Sequence, residues 1–104
     1  MLLLVNAFSP NMLAKFPCQL LFEEISLNEA REELAKGFTN AVGHADTAAV
    51  FASELGVSVE AARITISLHK SDRLIVGQYR GPRLPEGCKI LPDGATIQWL
   101  RVTL

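Results

Sequence analysis

Apolar side chains recur along the chain with the two-residue period of β-strands in several places. Residues 1–8 form an almost continuous apolar run, which is typical of a central strand buried on both faces. Four further stretches alternate apolar and polar positions, at 18–25, 63–69, 74–79 and 95–102. In the first of these four, Cys18, Leu20 and Phe22 are expected to face inward. The pattern therefore predicts a sheet of about five strands.

Helical periodicity appears in two other places. A capping box that begins at Ser26 precedes residues 27–38, where apolar side chains recur at helical spacing. A second helix is predicted from about Asp46 to Leu55, and Gly56 can end it in a left-handed conformation. A short third helix is predicted over 11–16, with Ser9 as its N-cap candidate.

The length of 104 residues, with 49% hydrophobic positions, describes one domain over 1–104. Strands and helices together predict an α/β (α+β) fold, a mixed sheet flanked by helices. The formal charge of -1 argues against a protein that coats long nucleic acid. The apolar N-terminus lacks a basic flank and is far shorter than the ~20 residues of a membrane span, so a cytoplasmic protein without membrane contact is expected.

Few residues are available for metal chemistry. The chain has two cysteines, Cys18 and Cys88, and two histidines, His44 and His69, all far apart in sequence. Neither a redox pair nor a zinc site is expected from such spacing, and no cofactor is predicted. We expect His69 to be structural or solvent-exposed, because it lies on a predicted strand and belongs to no motif.

The stretch 43–47 carries the first candidate chemistry, because it sets His44 in a loop that leads directly into a helix. Asp46 or Thr47 can cap that helix, whose unpaired amides and positive dipole end suit a phosphate. We therefore include Thr47 among the candidate ligand contacts. A lone histidine is more often a surface or structural residue, so both interpretations stay open at this point.

The second candidate is the loop 81–87, where two prolines and two glycines prevent regular structure. This loop carries Arg83 and Glu86 three residues apart. A stiff loop can hold charged side chains in place for ligand binding or catalysis. A surface turn with a weak ion pair between Arg83 and Glu86 is an equally good interpretation.

Three segments, at 4–17, 43–47 and 77–87, resemble in the same order the viral anti-CRISPR ring nuclease family and its bacterial relatives. The resemblance covers nearly the whole chain. It implies a small cytoplasmic homodimer in a bacterial or archaeal host cell, with a mixed sheet flanked by helices. It also implies cleavage of cyclic tetra-adenylate, the second messenger of type III CRISPR defence.

Residue by residue, the resemblance carries the catalytic roles of the family to His44, Arg83 and Glu86. The polar end of the first strand matches positions that line the ligand pocket in the family, and two further positions match ligand contacts. The residues that the resemblance implies for ligand binding are Asn6, Ser9, Asn11, Arg63 and Gln78.

The implied reaction is chemically consistent with these residue types. An RNA-type phosphodiester carries its own nucleophile, the ribose 2'-hydroxyl, so it can be cleaved without a metal when that oxygen is held in line. His44 is the expected general acid for the departing 5'-oxygen, and Arg83 is expected to balance the charge of the phosphorane. Glu86 is expected to favour the protonated imidazole by its charge. The expected products are linear di-adenylates with a 2',3'-cyclic phosphate.

A ring of four identical nucleotides contains a two-fold axis, so a homodimer with the ring at its interface is expected. Two other classes of function stay open. The protein could be a non-catalytic module that binds or sequesters a cyclic oligoadenylate. A small DNA-binding regulator is less consistent with the acidic pI of about 6.1.

Overall fold

The computed structural model describes all 104 residues as one α+β domain, in which a five-stranded mixed sheet is flanked by two helices. The predicted fold class is therefore confirmed. In chain order the elements are β1 (Leu2–Val5), a single 3₁₀ turn (Pro10–Met12), β2 (Leu21–Ile25), α1 (Leu27–Ala35), β3 (Thr39–Asn40), α2 (Ala45–Leu55), β4 (Arg73–Arg80) and β5 (Thr96–Thr103).

The strand order across the sheet is β2-β5-β4-β1-β3. β1 lies in parallel between β3 and β4, while β5 runs antiparallel to both β4 and β2. The three parallel strands therefore end at the same edge of the sheet. None of the helices is both long and apolar enough to cross a lipid bilayer.

The two faces of the sheet carry separate cores, because successive side chains of a strand point to opposite sides. On the helical face, Leu4, Ile75 and Trp99 pack with α1 and α2, and Phe51 of α2 is fully buried. The opposite face holds a smaller cluster centred on Leu74. Its other buried members are Leu3, Val5, Leu68, Val76 and Val102.

Both helices follow the sequence signals at their ends. In α1 the capping box at Ser26 and Glu29 is present, and each side chain bonds to the backbone of the other residue. The helix ends at Ala35, and Phe38 packs against the core from beyond it. In α2, Gly56 adopts the left-handed conformation (φ 69°), as predicted.

Two predicted elements are wrong. Residues 63–69 form no strand, and only an isolated parallel bridge joins Leu68 to Leu13. This bridge draws the chain out of helical geometry, so the helix predicted over 11–16 is reduced to the 3₁₀ turn Pro10–Met12. A strand that the pattern did not predict, β3, is only two residues long and pairs with β1.

Two strands are shorter than predicted. β1 ends at Val5 rather than at Phe8, and β2 begins at Leu21 rather than at Cys18. Phe22, which was predicted to face inward, is 48% exposed because β2 is an edge strand of the sheet. Its ring meets Phe8 edge-on, with the two centroids 5.6 Å apart.

Gly77 of β4 brings the sheet close to α2. A Cβ atom at this position would lie 2.5 Å from Cζ of Phe51 and 2.7 Å from Cζ3 of Trp99. Only glycine leaves room for the two aromatic rings, which pack with centroids 5.0 Å apart. This contact determines how closely α2 packs on β4.

Candidate functional site

The carboxyl ends of the parallel strands bring the two candidate loops together. β3 leads through residues 41–44 into α2, and β4 leads directly into the loop 81–87. Both connections therefore start from the same edge of the sheet, which is where open α/β sheets commonly bind ligands.

A cleft of about 810 Å³ lies between the start of α2 and this loop. Its volume falls within the range of small-molecule sites. His44, Thr47, Arg83 and Glu86, all predicted site residues, line it together. The remaining lining residues are Ala45, Asp46, Tyr79, Gly81, Leu84 and Pro85.

His44 occupies the N-cap position of α2. Its backbone is extended (φ -121°, ψ 131°) and its carbonyl accepts the first helical hydrogen bond, from the amide of Ala48 at 2.9 Å. The prediction that Asp46 or Thr47 caps the helix is wrong, because both lie inside its first turn. No side chain caps the helix, so the amides of its first turn have no capping side-chain partner.

The loop 81–87 presents Arg83 and Glu86, both exposed, to the cleft. No ion pair joins these two side chains, and neither takes part in the ion pairs of the chain. The ion pair expected for a simple surface turn is therefore absent, although most of the loop is exposed, as expected for such a turn. Both charged groups are available to a ligand.

Sequence reasoning missed two side chains that hold this loop. The Asp46 carboxylate accepts a hydrogen bond from the amide of Gly87 at 3.2 Å. The Tyr79 hydroxyl donates to the carbonyl of Pro82 at 2.6 Å. Asp46 was recognised only as a candidate helix cap. No local pattern signals a contact between residues 41 positions apart.

Arg63 lies beside the histidine loop and outside the cleft. Its Nε donates to the carbonyl of Gly43 at 3.1 Å, and its side chain is exposed. Arg63 therefore forms a hydrogen bond to the backbone of Gly43, the residue that precedes His44. Its predicted role as a ligand contact stays a prediction.

The polar residues after β1 also lie outside the cleft of one chain. Ser9 caps the 3₁₀ turn, since its Oγ accepts from the amide of Asn11 at 3.3 Å. The N-cap prediction for Ser9 is therefore confirmed, although the turn is shorter than the predicted helix. Asn6 directly follows β1, at the edge of the sheet where the cleft lies.

Gln78 belongs to the opposite face of the sheet, because its neighbour Gly77 packs against α2. Its Nε2 donates to Oε1 of Gln98 at 2.9 Å, and that oxygen also accepts from Arg80 at 2.9 Å. Gln98 in turn donates to Glu24 at 2.8 Å. In a single chain, Gln78 and His44 therefore lie on different sides of the sheet.

The perturbed ionisable groups lie elsewhere in the molecule. Arg101 donates to the carboxylates of Glu23 and Glu33, and these bonds, chiefly the one to Glu23, raise the pKa of its guanidinium. The Asp72 carboxylate accepts from the backbone amide of His69 at 2.9 Å, and this bond is the main reason why the pKa of Asp72 is lowered. Both groups make contacts within the fold and lie outside the cleft.

The residues considered for metal chemistry are dispersed. Cys18 and Cys88 are both free thiols, and His69 is exposed, as predicted. No three histidine, cysteine, aspartate or glutamate side chains come close enough together to hold a metal ion.

The fold and the cleft define a small α+β protein whose cleft, at the edge where the parallel strands end, is lined in part by charged side chains. The chain belongs to the STIV B116-like family, whose model matches residues 2–93. Among solved structures it is similar to B116 of Sulfolobus turreted icosahedral virus, with 25% sequence identity and a TM-score of 0.84. The match covers 99% of this chain and 98% of B116, so the family includes a viral protein of nearly the same extent. None of the curated proteins matches the chain.

Proposed function

We propose that the protein is a metal-independent ring nuclease that cleaves cyclic tetra-adenylate to linear di-adenylates and so switches off type III CRISPR signalling. One observation carries the proposal. His44, Arg83 and Glu86, from segments about 40 residues apart, line a single cleft. These three residues also lie inside the part of the chain that the family model matches.

The cleft offers each group that such a reaction needs. The ribose 2'-oxygen attacks the adjacent phosphorus and its proton passes to water, while the bond from phosphorus to the 5'-oxygen breaks. An imidazolium at His44 donates its proton to that departing oxygen, which otherwise leaves poorly. The products are a 5'-hydroxyl and a 2',3'-cyclic phosphate, and no cofactor takes part.

Groups on both sides of the cleft can stabilise the negative charge of the reacting phosphate. Arg83 can bond to two phosphate oxygens at once, and it has no carboxylate partner to compete with them. The free amides of the first turn of α2, beside Thr47, add partial positive charge on the opposite side. Glu86 lines the same cleft as His44 and Arg83.

We also propose that the working form is a homodimer in the cytoplasm of the host cell. Five of the expected ligand contacts lie outside the cleft of one chain, namely Asn6, Ser9, Asn11, Arg63 and Gln78. A ring of four nucleotides has a two-fold axis, so two chains can each offer one half-site to it. Each cleft then makes one of the two cuts.

The direct test incubates the purified protein with cyclic tetra-adenylate in excess EDTA. We expect linear di-adenylate with a 2',3'-cyclic phosphate, and no cleavage of a substrate whose 2'-hydroxyls are replaced by hydrogen. Cleavage of the 2'-deoxy ring would show that water or a metal hydroxide is the nucleophile. Cyclic tri- and hexa-adenylates assayed in parallel would establish the ring size.

A non-catalytic binding module is the alternative. It predicts tight binding of the ring with no product over several hours. A gel shift with duplex DNA at moderate salt would instead support a DNA-binding regulator.

A further inference from the structure

The loop 81–87 is fixed at both ends by contacts that do not involve its charged residues. At its start, a Cβ atom on Gly81 would lie 2.7 Å from Cβ of Ala95, so the backbone packs tightly there. The Tyr79 hydroxyl also bonds to the Pro82 carbonyl at 2.6 Å. At its end, the amide of Gly87 donates to the Asp46 carboxylate at 3.2 Å.

Arg83 and Glu86 lie between these fixed ends and have no ion-pair partner of their own. Their position relative to His44 is therefore set by the backbone of the loop. Asp46 is well placed to determine this relative position. It lies two residues after His44 and accepts a hydrogen bond from Gly87, the residue that follows Glu86. One hydrogen bond thus connects the two sides of the cleft.

We infer that Asp46 and Tyr79 are positioning residues, which hold the loop 81–87 so that Arg83 and Glu86 face His44 across the cleft. The catalytic consequence of this inference rests on the proposed function. The order that the two side chains impose on the loop does not rest on it.

Asp46 could act in another way, since an acidic side chain in the first turn also stabilises a helix through its dipole. Asparagine separates the two roles. It keeps an oxygen that can accept the Gly87 amide but loses the charge. Asp46→Asn should therefore preserve a positioning role and impair a purely electrostatic one.

The test compares Asp46→Ala, Asp46→Asn and Tyr79→Phe with wild type, and Asp93→Ala serves as the control. Asp93 is an exposed aspartate in the turn before β5, outside the cleft. Three properties are measured: amide hydrogen exchange in residues 81–88, thermal unfolding, and the single-turnover rate and Kd with cyclic tetra-adenylate.

We expect Asp46→Ala and Tyr79→Phe to raise exchange in the loop about tenfold, in line with the loss of one hydrogen bond. Their single-turnover rate should fall roughly 10- to 100-fold, while Kd changes by less than about threefold. Asp46→Asn should keep loop exchange and the single-turnover rate much closer to wild type than Asp46→Ala does. Asp93→Ala should behave as wild type.

The inference is overturned if Asp46→Ala leaves loop exchange within about twofold of wild type, or if Asp46→Asn is as impaired as Asp46→Ala. If wild type itself cleaves nothing, the proposed function fails. The exchange measurements then still decide whether the two residues order the loop.

Discussion

Gly77 and Phe51 are in such close contact that a single methyl group would not fit between them. A Cβ atom on Gly77 would lie 2.5 Å from Cζ of the fully buried Phe51 ring. Because Phe51 belongs to α2, the helix that His44 begins, this contact determines how closely α2 packs on the sheet. It links a core packing feature to the geometry of the cleft.

Gly77→Ala should therefore destabilise the protein by about 1–3 kcal/mol, because a rigid ring must move to admit the methyl group. Urea unfolding monitored by Trp99 fluorescence would measure the change. Gly43→Ala is the matched control, since a Cβ there meets Arg63 Cγ at an ordinary 3.6 Å. Equal stability of the two variants would contradict the packing argument.

His44→Ala should reduce the single-turnover rate with cyclic tetra-adenylate by about 10² to 10⁴, because the 5'-oxygen loses its proton donor. Binding should be largely kept. The melting temperature should also change little, since the exposed His44 side chain makes no capping hydrogen bond. His69→Ala, at the other histidine and outside the cleft, is the control. A wild-type rate for His44→Ala would refute the assigned mechanism.

Arg83→Ala should lower the single-turnover rate about 10²- to 10³-fold, by removing the charge that balances the phosphorane. Arg83→Lys should recover only part of this rate, because an ammonium cannot bond to two phosphate oxygens in the same way. Arg73→Ala, at the opposite end of β4, controls for the loss of an arginine. A full recovery by lysine would show that charge alone is required.

Asp72 should contribute to stability in a pH-dependent way. Because its pKa is lowered in the folded state, its contribution is present above the ordinary aspartate value of about 3.9 and is lost as the pH falls through the lowered value. At pH 7, Asp72→Asn should be less stable than wild type by up to about 1 kcal/mol, because asparagine still accepts from the His69 amide but lacks the charge that strengthens this bond.

Thermal unfolding from pH 7 to pH 2 would check this expectation. The difference between Asp72→Asn and wild type should shrink below about pH 4. Asp93→Asn should follow wild type over the whole range. A difference that is constant with pH would show that the charge of Asp72 has no part in stability.

The longer elements could be predicted from the sequence because each carries its signal in consecutive residues. β4 and β5 were predicted to within about two residues at either end, and the capping box marked the start of α1. The two-residue strand β3 has no periodicity to detect, and it exists because β1 offers it a partner. Residues 63–69 show the converse. Their apolar and polar positions alternate strictly, but they form no strand because they pair with a neighbouring segment only at Leu68.

The candidate site, like the fold, could be predicted from the sequence only in part. Local context marked His44, Arg83 and Glu86 only as candidates, because a histidine before a helix and charges in a rigid loop are local features. Their catalytic roles were implied by the family resemblance. The sequence could not show that these residues share a cleft, that Asp46 binds Gly87, or that Gln78 lies on the other face of the sheet. Each of these depends on which strands pair and on how closely α2 packs on them, and such long-range contacts are decided by the tertiary structure alone.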